Sequence, residues 1–173
     1  MGTLKYLLFI AILVISCKED PRPNQLPTEK PSLKEELIKR NQQRIQTEED
    51  RIEAYIQRRQ WTMNESGSGL RYLILKQGDG IQAEKGMEAE LSYRISLLNG
   101  KECYKSAEGE TDKFLIGSDA VESGLHEGVL YLKEGAEAVL IMPPHLAHGL
   151  LGDRDKIPAN ASLVFELKLH GLR

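Results

Sequence analysis

The sequence predicts an α+β protein in which an antiparallel β-sheet packs on one short helix and a longer helix precedes the sheet. Two observations carry this prediction. Residues 33–59 contain no proline or glycine and are rich in strong helix formers, which is typical of a long helix. From residue 70 onward, short runs of β-branched, aromatic and leucine residues alternate with Gly, Asn and Asp, as expected for strands joined by turns.

The long helix is predicted to begin at a capping box. Ser32 and Glu35 have the spacing at which each side chain bonds the other residue's backbone N–H, and Pro31 stands just outside. A second capping signal, Thr-Glu-Glu-Asp at 47–50, leaves open a bend or a new helix at that point.

A narrow apolar stripe runs along this helix. Its members repeat every seven residues, at Ile38, Ile45 and Ile52, on a surface that is otherwise charged. The sequence leaves two partners open for the stripe. We favour the protein's own C-terminal domain; the alternative is the same segment of a second copy, which would make 33–60 a dimerisation helix. Trp61 follows the helix and is expected to dock against the domain.

Five strands and one short helix are predicted beyond a linker at 64–69 (NESGSG). Asn99-Gly100 lies between two strand-like runs and predicts a hairpin turn, because both residues tolerate the positive φ angles that such turns need. The short helix is predicted at 123–132. The strands are predicted at 70–76, 87–98, 113–116, 136–142 and 163–170.

The first 32 residues have the pattern of an export and anchoring signal. The apolar run at 6–15 suits a secretory signal and is shorter than the roughly 20 residues that span a bilayer. Val-Ile-Ser-Cys at 14–17 resembles a bacterial lipobox, so that cleavage after Ser16 would leave Cys17 as a lipidated N-terminus. The proline-rich segment at 18–32 is predicted to be a tether. We therefore expect an outer-membrane lipoprotein facing the periplasm or the cell surface.

Charge and cysteine content argue against several other classes of site. The formal net charge of −3 supplies no strongly basic face for nucleic acid. Once Cys17 is acylated, Cys103 has no partner, so no internal disulfide is expected. His145 and His148 lack a Cys or carboxylate at ligand spacing, so no metal is expected. The charged run at 153–156 is interpreted as a solvated loop.

Three blocks of the strand-rich part follow a known pattern. The block at 91–101 (LSYRISLLNGK) is similar to the pattern h-Y-T-G-x-L-x-D-G, in which h is an apolar residue and x is any residue. The block at 114–135 contains FLIG, V-x-x-G-L-x-E-G-V and KEG, similar to F-x-L-G, V-I-x-G-W-x-E-G-V and a K-x-G turn. The block at 141–165 contains IMPPHLAHG and IPANASLVF, similar to I-P-x-x-L-A-Y-G and I-P-P-N-A-T-L-V-F. Together they cover 69–172, and they resemble the FKBP family of peptidyl-prolyl isomerases.

The resemblance implies an antiparallel sheet half wrapped around a short helix. An apolar pocket between sheet and helix would hold a prolyl ring while its X–Pro bond rotates, with no nucleophile, metal or cofactor. Within the family the chain resembles the gliding-motility-associated lipoprotein branch of Bacteroidetes, through its lipid signal and the Ile-x-Thr-Glu-Glu run at 45–49. The implied partners are proline-containing polypeptides and, through the lipid, a membrane.

The resemblance also implies which residues line the pocket. Tyr93, Val121 and Phe165 match pocket residues of the family, and Ile157 matches a position whose backbone N–H receives the substrate carbonyl. The other pocket positions depart from the pattern: Cys103 and Tyr104 stand for Phe and Asp, Glu122 for Ile, Leu125 for Trp and His148 for Tyr. These departures imply a wider and more polar pocket, weak macrolide binding and reduced isomerase activity.

Three functional hypotheses follow from this sequence. The first is an isomerase that assists the folding of exported proteins at the outer membrane. The second is a weak or inactive FKBP-fold chaperone or assembly factor for an envelope complex, such as a gliding or secretion apparatus. The third makes the N-terminal helix the working part and the C-terminal domain a passive head. The predicted segments are 1–16 (signal), 17–32 (lipidated tether), 33–61 (helical segment) and 69–173 (FKBP-type domain).

Overall fold

The structure is a computed structural model that describes residues 32–118 and 120–173. The predicted signal at 1–16, the predicted lipidation site Cys17 and the tether up to residue 31 lie outside the described residues. The chain divides into two compact units, and the fold below belongs to the larger one, Leu37–Arg173. Within the described ranges, no helix combines the length and the apolar character that crossing a bilayer requires.

The predicted α+β architecture is confirmed. Two α-helices, a single 3-10 turn at Pro144–Leu146 and seven strands make up the regular structure of the described residues. The elements, in chain order, are α1 (Leu33–Arg59), β1 (Asn64–Glu65), β2 (Arg71–Lys76), β3 (Glu88–Leu97), β4 (Glu102–Lys105), β5 (Asp112–Leu115), α2 (Ser123–Val129), β6 (Glu137–Met142) and β7 (Leu163–Leu172).

All strand pairs in the sheet are antiparallel. The strands lie in the order β1-β2-β6-β7-β3-β4, and β5 also pairs with β3. The predicted hairpin turn joins β3 to β4: Gly100 has φ +87°, and the Lys101 N–H donates to Asn99 Oδ1 at 3.0 Å. The long strand β3 therefore organises the region in which the candidate pocket residues lie.

Both faces of the sheet are covered at β6. Five consecutive residues of this strand, Ala138–Met142, are buried, because alternate side chains point to opposite faces and each face meets a helix. Leu140 belongs to the main core with α2, whereas Val139 and Ile141 belong to a second core with α1. Gly128 brings α2 close to the sheet, since a Cβ there would stand 2.3 Å from Leu140 Cδ1.

The short helix ends earlier than predicted. It ends at Val129 rather than at residue 132. The next residues form tighter i→i+3 bonds: the Tyr131 N–H donates to Gly128 O at 3.2 Å, and the Leu132 N–H to Val129 O at 2.9 Å. Tightening of the last turn is common at helix ends, and it turns the buried Leu132 into the main core.

The long helix begins at its predicted cap and continues without interruption to Arg59. The Ser32 N–H donates to Glu35 Oε2 at 2.8 Å, and the Glu35 N–H to Ser32 Oγ at 3.3 Å. The second helix start considered at 47–50 does not occur. Thr47 Oγ1 instead donates to the Gln43 carbonyl one turn earlier at 2.8 Å, as a Thr inside a helix commonly does.

The apolar stripe of α1 has two different surroundings. Ile52, Tyr55 and Ile56 are buried on the sheet, so packing on the protein's own domain is confirmed for this end of the helix. The Tyr55 ring also meets the ring of Trp61, edge to face, with centroids 6.0 Å apart, and Trp61 packs against the core that α1 shares with the sheet. Residues 38 and 45 of the stripe remain 48% and 61% exposed, so pairing with a second copy stays a prediction.

A buried arginine fastens α1 to the sheet, and the sequence did not point to it. The Arg71 guanidinium is 5% exposed; it pairs with Glu49 and with Glu53 Oε1 (3.3 Å) of α1, and with Glu65 Oε1 (3.1 Å) of β1. Glu65 lies in the segment 64–69, which was predicted to be a linker. The first two residues of that segment instead form β1 against β2. Three carboxylates explain how a cation is tolerated here, because a buried charge must be paired.

Candidate active site

An aromatic pair forms the apolar part of the candidate site. Ile95 of β3 lies opposite Phe165 of β7 on one side and opposite Tyr104 of β4 on the other. Tyr93, two residues along β3, lies on the same face. The Tyr93 and Phe165 rings are 5.3 Å apart at a tilt of 34°, within the usual range for aromatic pairs. The predicted residues Tyr93 and Phe165 are thus together.

Two further residues that the resemblance assigns to the pocket belong to α2 or directly precede it. Leu125 is buried in the main core, and Val121, just before the helix, is half-buried against it. Phe165 is only 2% exposed, so its position is set by core packing. We call Tyr93, Val121, Leu125 and Phe165 the apolar half of the cleft. An apolar floor disfavours a polar, planar amide relative to a twisted one.

The Tyr93 phenol is a hydrogen-bond donor in this setting. Burial raises the pKa of Tyr93 above its ordinary value, and the carboxylates of Asp112 and Glu122 raise it further. The negative charges of Asp112 and Glu122 therefore both act on the Tyr93 phenol. The backbone beside it is held in place as well, since the Tyr93 N–H donates to Ser106 Oγ at 3.1 Å.

Two of the predicted residues that depart from the family pattern contact each other. His148 Nε2 lies 3.1 Å from Glu122 Oε1. A carboxylate only accepts hydrogen bonds, so the proton must be on Nε2 of the imidazole. Glu122 stands at the N-cap of α2 and His148 follows the 3-10 turn at Pro144–Leu146. The contact joins two separate elements at the cleft.

Tyr104 takes its partners from a distant loop. Its hydroxyl donates to Asp153 Oδ2 and also lies 3.2 Å from Asp155 Oδ2. The hydrogen bond to Asp153, burial and the two negative charges raise the pKa of Tyr104 to about 12. Lys156 Nζ stands 4.7 Å from the centre of the Tyr104 ring. Tyr104, Glu122, His148 and Asp153 are the polar half of the cleft.

Asp153 organises the loop that carries Ile157. Its Oδ1 accepts the N–H groups of Asp155 and Ile157, both at 2.8 Å. Burial opposes ionisation of Asp153, but the Tyr104 hydroxyl and the loop N–H groups outweigh it, and the pKa of Asp153 falls well below its ordinary value. The Ile157 N–H is therefore already donated to a carboxylate. Its predicted role toward a substrate carbonyl stays a prediction, and it requires that this bond be broken.

Cys103 lies in the core beneath this loop. The thiol is buried, and its Sγ lies 3.6 Å from the Lys156 carbonyl. Burial raises the pKa of Cys103, which keeps it protonated and unreactive. It is the extra residue of a bulge, because Ile95 pairs with Tyr104 while Ser96 pairs with Glu102.

The two histidines of the 145–148 pair have separate partners. His145 Nε2 lies 2.8 Å from the Ser68 carbonyl, whereas His148 contacts Glu122. In the ranges 32–118 and 120–173, no three His, Cys, Asp or Glu side chains are grouped so as to hold a metal ion.

Sequence reasoning missed Asp112 and Asp153. The loop at 153–156 was interpreted as solvated, yet Asp153 connects Tyr104 to the Ile157 backbone. The local sequence contains one relevant signal: an Asp followed by N–H groups two and four residues on is a common loop-closing pattern. The Tyr104 partner is 49 residues away and had no such signal.

Comparison with known proteins agrees with this fold. Residues 80–170 match the family profile of the FKBP-type peptidyl-prolyl cis-trans isomerase. The chain is 38% identical over 104 residues to a probable FKBP-type isomerase, FkpA, of Neisseria meningitidis, covering 60% of this chain and 38% of that protein. It is 36% identical over 100 residues to the isomerase Mip of Chlamydia muridarum, covering 58% of this chain and 40% of that one.

Solved structures give the same result. The crystal structure of FkpA from Escherichia coli superposes with a TM-score of 0.65 at 27% identity, over 81% of this chain and 65% of that chain. AtFKBP13 superposes with a TM-score of 0.62 at 30% identity, over 65% of this chain and the whole of that chain. The chain spans only 28%, 38% and 42% of the length of the first three curated relatives. The family match covers more than half of the sequence, and the chain belongs to the FKBP-type peptidyl-prolyl cis-trans isomerase family.

Proposed function

We propose that this protein is a peptidyl-prolyl cis-trans isomerase whose reaction takes place over the aromatic pair. The observation that carries the proposal is the contact of Tyr93 with Phe165, in the core cluster that also contains the buried Leu125. We infer that these three residues form an apolar box for a prolyl ring.

The reaction needs a particular environment rather than a reactive group. Rotation about an X–Pro bond faces a barrier of about 18–20 kcal/mol, because the amide loses its resonance as it twists. The twisted amide is less polar, so an apolar box favours it over the planar ground state. Each 1.4 kcal/mol or so of that preference accelerates rotation about tenfold.

Exchange NMR on a short X–Pro peptide tests the activity directly. The purified chain from residue 18 onward is added in catalytic amounts, and cis–trans exchange cross-peaks are measured. We expect acceleration by the parent chain and by Leu150→Ala, an exposed-surface control, and none by Phe165→Ala. No acceleration by a parent chain with a dispersed spectrum would overturn the proposal.

A second candidate is an FKBP-fold binding protein without useful isomerase activity, acting as a chaperone or assembly factor for an envelope complex. The observation that favours it is the polar half of the cleft, where Glu122 contacts His148 and Tyr104 contacts Asp153. Polar groups that are already bonded do not favour a twisted amide over a planar one. Peptide binding without acceleration in the same NMR experiment would select this candidate.

The cellular setting extends the proposal. We propose an outer-membrane lipoprotein, anchored through Cys17 and acting on exported clients, within the gliding-motility-associated lipoprotein branch of Bacteroidetes. The lipobox pattern at 14–17 and the Ile-x-Thr-Glu-Glu run at 45–49 support it. Intact mass of the protein purified from membranes tests the anchor: acylation is expected on the parent chain and absent in Cys17→Ala. An unmodified, soluble parent chain would contradict it.

The exposed part of α1 supports a homodimer through residues 33–60. Leu37, Ile38 and Ile45 are exposed on the helix although all three are large and apolar. Sedimentation equilibrium is expected to give a dimer that Ile45→Glu weakens and that Leu75→Glu, an exposed site on β2, leaves intact. A monomer at all concentrations would rule this interface out.

A further inference from the structure

Glu122 is a carboxylate whose side chain is mostly, but not wholly, buried. Its side chain is only 14% exposed. Among the described residues, its one side-chain partner is His148 Nε2, at 3.1 Å. A carboxylate offers about four lone-pair positions, and a buried charge is stable only when it is well paired. Glu122 therefore has capacity for a further donor or cation.

The Glu122 carboxylate also acts on a residue of the proposed prolyl site. Glu122 raises the pKa of Tyr93 through its charge, so its carboxylate is close enough to act on the phenol of the aromatic pair. Asp112 acts on the same phenol from β5. By contrast, Glu127, five residues further along the chain, accepts hydrogen bonds from Ser68 Oγ at 2.7 Å and from the Tyr131 hydroxyl at 3.5 Å.

We infer that Glu122 is a specificity-determining residue that selects polypeptides with a basic residue next to the proline. A Lys or Arg side chain beside the bound prolyl ring would supply the missing cation, and the Asp112 charge would add to the attraction. An acidic neighbour would be repelled by both. The inference rests on the proposed prolyl site, and it narrows the client to proline segments flanked by Lys or Arg.

Paired peptides test this preference in both binding and catalysis. Two series of short peptides carry Lys, Leu or Glu either directly before or directly after the proline. Dissociation constants come from NMR chemical-shift titration of the purified protein, and exchange rates come from the same samples. In at least one series, we expect the Lys peptide to bind about fivefold more tightly than the Glu peptide, the size of effect that one ion pair gives. Added salt should reduce this ratio.

Glu122→Gln separates selection from a merely structural contact. The glutamine oxygen still accepts a hydrogen bond from His148. The contact between the start of α2 and the residues after the 3-10 turn is therefore preserved, while the charge is lost. We expect the Lys-to-Glu ratio to fall to about one in this variant. Glu127→Gln removes the same charge from the same helix, and it should leave the ratio unchanged.

The two proposals fail in different ways. If no peptide is isomerised but the Lys peptide still binds more tightly, the isomerase proposal is wrong and the selectivity stands. If the parent protein binds Lys and Glu peptides equally in both series, the selectivity is wrong, whatever the exchange rates are. A ratio that persists in Glu122→Gln would also overturn the role of this residue.

Discussion

The two halves of the cleft are held in place by different forces. The apolar half consists of residues on β3, β7 and α2 or next to it, and each packs into the main core. The polar half consists of two separate hydrogen bonds. One runs from Tyr104, near the end of β4, to Asp153 in a loop, and the other joins Glu122, at the N-cap of α2, to His148. Core packing depends little on pH and salt, whereas exposed polar contacts compete with water and depend on charge. We therefore expect the apolar half to govern catalysis and Glu122 of the polar half to govern the choice of client.

The largest effect is expected from the apolar half. Phe165→Ala should destabilise the fold by about 3–5 kcal/mol, because it empties a buried aromatic site. The isomerase rate should fall to the uncatalysed level even where the protein remains folded, since the wall beside Tyr93 is gone. Urea unfolding and exchange NMR measure the two effects.

Phe165→Leu distinguishes the two effects of that change. It keeps most of the buried volume, so most of the stability should remain, while the flat aromatic wall is lost. A Phe165→Leu protein with parental activity would show that the box needs bulk alone, and the proposed role of the ring would be wrong.

The apolar half could be predicted from the sequence mainly through the family resemblance. The alternation of Phe165 with polar residues along β7 predicts that this side chain is buried, because the period of a strand is local information. The resemblance, and not a period, assigned Tyr93, Val121, Leu125 and Phe165 to a pocket.

The polar contacts could not be predicted in this way. Glu122 meets His148 across 26 residues and Tyr104 meets Asp153 across 49, and the pairings exist only once the sheet has formed. The same holds for Arg71, whose partner Glu49 is 22 residues away. Side-chain type indicates that a group can form a hydrogen bond, but only the fold determines the partner.

A smaller effect is expected from the polar half. Asp153→Asn should loosen the loop, because the carboxylate accepts two N–H groups and one hydroxyl. Tyr104→Phe removes only one of these donors and should have less effect. Amide hydrogen exchange at Asp155 and Ile157 is expected to speed up in both variants, with a several-fold drop in isomerase rate for Asp153→Asn.

A double-mutant cycle identifies the contact responsible. Because the two side chains bond each other, the effects of Asp153→Asn and Tyr104→Phe should be less than additive in the double variant. Fully additive effects, with unchanged amide exchange, would show that Asp153 does not position this loop.

The smallest effect is a dependence on pH at the Tyr104–Asp153 contact of the polar half. The pKa of Tyr104 is raised from 10.0 to about 12, so the stability from its contact is complete below pH 10 and is lost as pH rises through about 12. The pKa of Asp153 is lowered, so its contribution is present above the ordinary carboxyl range and is lost when pH falls below it. Tyr104 is identified by the ultraviolet absorbance of phenolate, measured as the parent protein minus Tyr104→Phe. We expect this difference to titrate near 12 and to move toward 10 in Asp153→Asn, while circular dichroism confirms that the fold is retained. A midpoint near 10 in the parent protein would mean that solvent, rather than Asp153, is the main partner of Tyr104, and the loop that carries Ile157 would then lack this anchor.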